Sequence, residues 1–65
     1  MQVFNVQGMT CGHCVKAVTR AVQQLDAAAK VEVDLAAKQV RVQSAVLQEH
    51  ILAAIRDEGY QAEVG

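Results

Sequence analysis

The apolar residues of this chain switch from strand-like alternation to a helical stripe and back, twice over, and that rhythm sharply limits the folds open to it. Gln2 to Gln7 alternates, with Phe4 and Val6 on one face and Asn5 and Gln7 on the other, which predicts a strand. Gly8 to His13 breaks the alternation with two glycines and predicts a loop. From Cys14 the spacing turns helical: Val15, Val18, Val22 and Leu25 fall on one stripe, while Lys16, Arg20, Gln23 and Gln24 lie off it and face water. Asp26 to Ala29 ends that helix. Val31, Val33 and Leu35 then alternate with Glu32 and Asp34 as a second strand. Ala36–Ala37–Lys38 is short enough for a hairpin connection, although it lacks the Asn-Gly or Asp-Gly turn signature. Gln39 to Gln43 continues as a third strand with Val40 and Val42 inward. Ser44 is a candidate cap for a second helix in which Leu47, Ile51, Ala54 and Ile55 share a face. Gly59 stops that helix in the usual C-terminal position, and Tyr60, Ala62 and Val64 alternate as a last strand.

Strand, helix, strand, strand, helix, strand folds most simply as an α+β domain of ferredoxin-like βαββαβ type. Its sheet is four-stranded and antiparallel, with two helices on one face. One domain spans residues 1–65, without linker or low-complexity run. A chain of this length buries only about 60% of the surface its unfolded form exposes, so it has no room for an enclosed substrate cavity. Any site must lie on the surface or in a loop.

The charge pattern removes whole classes of partner. Six basic and seven acidic side chains leave a formal net charge of −1, and Phe4 and Tyr60 are the only aromatics. Nucleic acid is therefore not an expected partner, since counterion release needs a basic face and base stacking needs rings. The longest apolar runs fall far below the ~18 residues of a membrane span, so no direct membrane insertion is expected. Met1 leads straight into the first strand with no signal-like segment. With Met1 as the natural start, the expected location is cytoplasmic, where the two cysteines work as thiols rather than as a disulfide.

The chemistry is concentrated in Gly8-Met9-Thr10-Cys11-Gly12-His13-Cys14. Two residues between the cysteines let both sulfurs converge on one point, one from the loop and one from the first helical turn. A helix start offers unsatisfied N–H groups and a partial positive charge, which favours a thiolate at Cys14. Two thiolates around a monovalent ion leave a charge of −1, which the same helix end stabilises. Soft sulfur ligands select soft ions, copper(I) foremost. A structural zinc site wants four protein ligands, and beyond the two Cys the chain has only His13 and His50, the latter in the middle of the second helix. A thioredoxin-like redox centre also places C-x-x-C at a helix start, but its Trp before the first Cys and its cis-Pro are missing here. Glycines and polar neighbours argue against two cysteines that merely fill a core.

Gly8 to Cys14 resembles the G-M-T-C-x-x-C loop of the heavy-metal-associated domain family, and the resemblance extends over length, element order and Gly59-Tyr60. That family includes bacterial copper chaperones, mercury-binding carriers and N-terminal domains of metal-transporting P-type ATPases. The resemblance implies a cytosolic copper chaperone, not an enzyme, with Cys11 and Cys14 as metal ligands. It implies transfer of Cu(I) by thiolate exchange to the metal-binding domain of a copper-transporting P-type ATPase. It carries Met9 over as a buried anchor under the loop and Tyr60 as a neighbour that could shield the sulfurs or donate to them. Met9 itself reads as gap-filling core rather than as a thioether ligand. His13 reads as a polar loop residue or as an extra ligand, the latter especially across a copper-bridged homodimer. Lys16 and Arg20, within two turns of Cys14, read as a solvated helix face or as a docking surface for an acidic partner. The alternatives left open are mercury, cadmium or zinc as the ion, a regulatory domain of an ATPase, and a thiol oxidoreductase.

Overall fold

A computed structural model describes residues 1–10 and 12–65. Its elements are β1 (Gln2–Gln7), α1 (Gly12–Leu25), β2 (Lys30–Asp34), β3 (Gln39–Gln43), α2 (Gln48–Asp57) and β4 (Gln61–Val64). The strands form one antiparallel sheet in the order β2-β3-β1-β4. The expected βαββαβ architecture is the one found.

Register decides which side chains meet. Phe4 pairs with Val40 on one side and Val64 on the other, Val6 pairs with Ala62, and Val31 pairs with Val42. Directly opposed residues in an antiparallel sheet share a face, so these apolar side chains form one layer. Val18, Ala21 and Val22 of α1 and Ile51 and Ile55 of α2 close onto that layer; Phe4, Val6, Val40, Val42, Ile51 and Ile55 are fully buried. On the other face Asn5, Glu32, Arg41 and Glu63 are exposed, so the helices cover one side of the sheet and water the other.

Several local expectations shift. Helix α1 starts at Gly12, two residues before Cys14, so Gly12 and His13 belong to the helix rather than the loop. Leu25 is on the predicted stripe but 44% exposed, because α1 ends there and the chain turns away; Ala21 is the buried residue instead. Strand β2 ends at Asp34, which puts Leu35 in the turn, and Tyr60 precedes β4 rather than opening it. Ser44 does not cap α2, which begins after Leu47 with no side-chain cap, and Leu47 points to solvent at 64% exposure. The Ser44 hydroxyl instead donates to Asp26 Oδ2 at 2.8 Å and accepts from the Val46 N–H at 3.0 Å. It ties the end of α1 to the chain leaving β3, and the Gln2 amide adds a bond to the Val46 carbonyl at 2.9 Å. These ties all lie at the Gln2 end of β1. The far end is left to the loop that follows Gln7.

Candidate metal centre

The loop begins with a backbone that side chains resist. Gly8 has φ +95°, a left-handed value that turns the chain out of β1. The Tyr60 ring stands against it: a Cβ at Gly8 would lie 3.5 Å from Tyr60 Cδ1. Met9 then turns inward and joins the core at 9% exposure, an anchor under the loop, while Thr10 faces solvent. Gly12 opens α1, whose first turn carries no acidic residue.

Cys14 is the third residue of α1, half-buried, its side chain packed against the core below the helix end. Its Sγ lies 3.9 Å from Thr10 Oγ1, and its thiol donates to the Gly8 carbonyl at 4.0 Å. The two neighbours differ in what they tolerate. A carbonyl accepts only from the protonated thiol, whereas a hydroxyl can accept from a thiol or donate to a thiolate. The helix N-terminus adds positive potential at the same point. Cys14 could therefore release its proton to water in exchange for a metal ion and keep a hydrogen-bond donor beside it. Cys11, the other predicted ligand, lies outside the described residues.

The remaining candidates separate by position. His13, Lys16 and Arg20 are exposed on α1. Tyr60 is half-buried against the core and beside Gly8. His50 lines a groove between α1 and α2 with Gln24, Leu25 and Asp57, a lining to which Cys14 does not belong. Among the described residues, no group of three or more His, Cys, Asp or Glu side chains is placed to hold a metal. The sequence reading passed over Thr10 and the Gly8 carbonyl as neighbours of the sulfur. Thr10 was findable, since it stands four residues before Cys14 at a helix start; the carbonyl followed only from the left-handed turn.

A half-buried thiol thus stands at a helix N-terminus, behind a glycine-led loop on a βαββαβ sheet. The model of the heavy-metal-associated domain matches residues 3–61, and the chain belongs to that family. A copper chaperone CopZ of Staphylococcus haemolyticus (strain JCSC1435) is 42% identical, over 95% of this chain and 96% of its own. The copper chaperone Atx1 from Synechocystis PCC6803, in its Cu2 form, matches with TM-score 0.93 at 40% identity, over 97% of this chain and 100% of that one. The yeast copper transporter domain Ccc2a, solved in apo and Cu(I)-loaded states, matches with TM-score 0.83 at 26% identity, over 98% of this chain and 92% of that one.

Proposed function

We propose that this domain is a copper(I) chaperone that holds one ion between the thiolates of Cys11 and Cys14 and hands it on by ligand exchange. The observation that carries the reading is the setting of Cys14: a half-buried sulfur at a helix N-terminus, with the Thr10 hydroxyl at 3.9 Å. The copper chaperones CopZ and Atx1, similar over nearly the whole chain, support copper as the ion. Binding releases the thiol protons, and the outgoing ion moves when an incoming thiolate joins before the first one leaves. The ion is cargo, so the domain is a carrier rather than an enzyme. Its place of work is the cytoplasm, where thiols stay reduced; among the described residues no helix is long and apolar enough to cross a membrane. The recipient is the metal-binding domain of a copper-transporting P-type ATPase, a reading supported by the shared fold of a copper transporter domain. Lys16 and Arg20 belong to the docking surface.

Anaerobic Cu(I) titration against a strong competing chelator tests the site. Wild type should retain one ion per chain, and Cys11→Ser and Cys14→Ser should each lose it while keeping the helical and sheet signature. Retention of one copper by either single variant would refute a two-thiolate site. Repeating the competition with Zn(II), Cd(II) and Hg(II) ranks the ions that the same sulfurs accept.

A further inference from the structure

Arg56, on the last turn of α2, reaches across to β4. Its Nε and Nη2 both donate to the Ala62 carbonyl, at 3.1 and 2.7 Å. Strand β4 is an edge of the sheet, paired only with β1. The Gly65 N–H donates to the Val3 carbonyl at 2.9 Å, so the pairs Glu63/Asn5 and Gln61/Gln7 share that hydrogen-bonded phase. Ala62, opposite Val6, is then a non-hydrogen-bonded pair, and its carbonyl points away from the sheet. Arg56 takes up this outward acceptor with a charge-assisted fork, the strong form of such a bond.

The segment closed by that fork contains the turn at Gly59, φ +94°, and Tyr60. Tyr60 is therefore held on both sides: by the helix end before it and by the pinned strand after it. Its ring lies against Gly8, and the Gly8 carbonyl lies 4.0 Å from Cys14 Sγ. A path thus runs from Arg56 to Ala62, back along the chain to Tyr60, and on to Gly8 and the sulfur. We propose that Arg56 is a positioning residue of the metal site, which holds the Tyr60 ring against the Gly8 turn and so keeps the Gly8 carbonyl and Cys14 in place for the ion. The role for the ion rests on the copper reading above; the placement of Tyr60 does not.

Tyr60 is the only tyrosine and the chain has no tryptophan, so its emission reports on this residue alone. Arg56→Met keeps the aliphatic stem and removes both donors; Arg56→Lys restores one. Acrylamide quenching of the apo protein should rise in the Met variant and fall back partway in the Lys variant. Release of Cu(I) into excess chelator should quicken about fivefold in the Met variant, the scale of one lost hydrogen bond, with the Lys variant between. Unchanged release, with or without altered quenching or a lower melting temperature, would leave Arg56 as a plug on the sheet edge and overturn the proposal. If the Met variant does not fold, the Lys variant is judged on the same two measurements, and wild-type values for both overturn it. If wild type itself fails to hold copper, the copper reading falls, and the quenching measurement alone decides for or against Arg56.

Discussion

Gly8 shows how one residue sets the site. Two effects would oppose a side chain there, and their sizes differ. The space is adequate, since 3.5 Å to Tyr60 Cδ1 is ordinary van der Waals contact. The backbone is not, because φ +95° burdens an L-residue with about 1–2 kcal/mol. Gly8→Ala should therefore destabilise the domain by about that amount through strain rather than collision, read from urea denaturation. An unchanged midpoint would mean that the turn relaxes readily and that the Gly8 carbonyl is not fixed beside Cys14. Thr10 and Cys14 follow from the same turn, because only a chain that reverses at Gly8 brings residue 10 back beside the helix start.

At the scale of an element, the β2–β3 hairpin closes with a residue poorly suited to it. Lys38 has φ 57°, in the left-handed region, and it does so without the Gly or Asn that usually serves there. The turn is held by the Asp34 carboxylate, which accepts from the Ala37 N–H at 3.0 Å, and by the Lys38 carbonyl, which accepts from the Val6 N–H at 2.9 Å. Lys38→Gly removes about 1–2 kcal/mol of strain and adds about 0.5–1 kcal/mol of unfolded-state freedom, so it should stabilise the domain by up to about 1.5 kcal/mol. A lower unfolding midpoint in urea would show that the lysine side chain contributes more than its backbone loses. The helices display the complementary case. Helix α2 starts without a side-chain cap and is held by Ile51 and Ile55, both fully buried, so packing outweighs the missing cap.

On the scale of the whole molecule, polarity follows from chain direction. Strand β1 runs from the tied end at Gln2 to the metal loop, and α1 starts at that loop, so His13 and Lys16 lie toward the sulfur end of the domain. On the two-thiolate reading, excess Cu(I) should draw two loops together, because two sulfurs would leave the ion open on one side and His13 is exposed on α1. Sedimentation of apo and loaded protein measures this, and a strictly monomeric loaded form removes His13 as a bridging ligand. Lys16→Glu combined with Arg20→Glu should slow transfer to an acidic-faced recipient at low salt and leave copper affinity nearly unchanged. Both side chains are exposed and so screened by water and salt, which should leave the sulfurs little altered, yet they act on diffusional encounter. Transfer rates equal to wild type at low salt would make both residues a solvated helix face. The domain is also small: 65 residues support about 3–10 kcal/mol in total, so a strained turn is a sizeable share of its stability.

Element order and the break at Gly8 were legible in the amino-acid sequence, because each is a local pattern. Alternation places a strand, and a helical stripe places a helix. The pattern failed where a residue's fate depends on a partner far along the chain. Leu25 and Leu47 fit their stripes, yet both stand at helix ends and are exposed. Ser44 has a cap's chemistry, but Asp26 and the Val46 N–H are the partners that folding delivers to it. The contact of Tyr60 with Gly8 and the fork from Arg56 to Ala62 arise only once β4 has added to β1, since strand pairing fixes which carbonyl points outward. Local periodicity chose the elements; the pairing of distant strands chose what surrounds the sulfur.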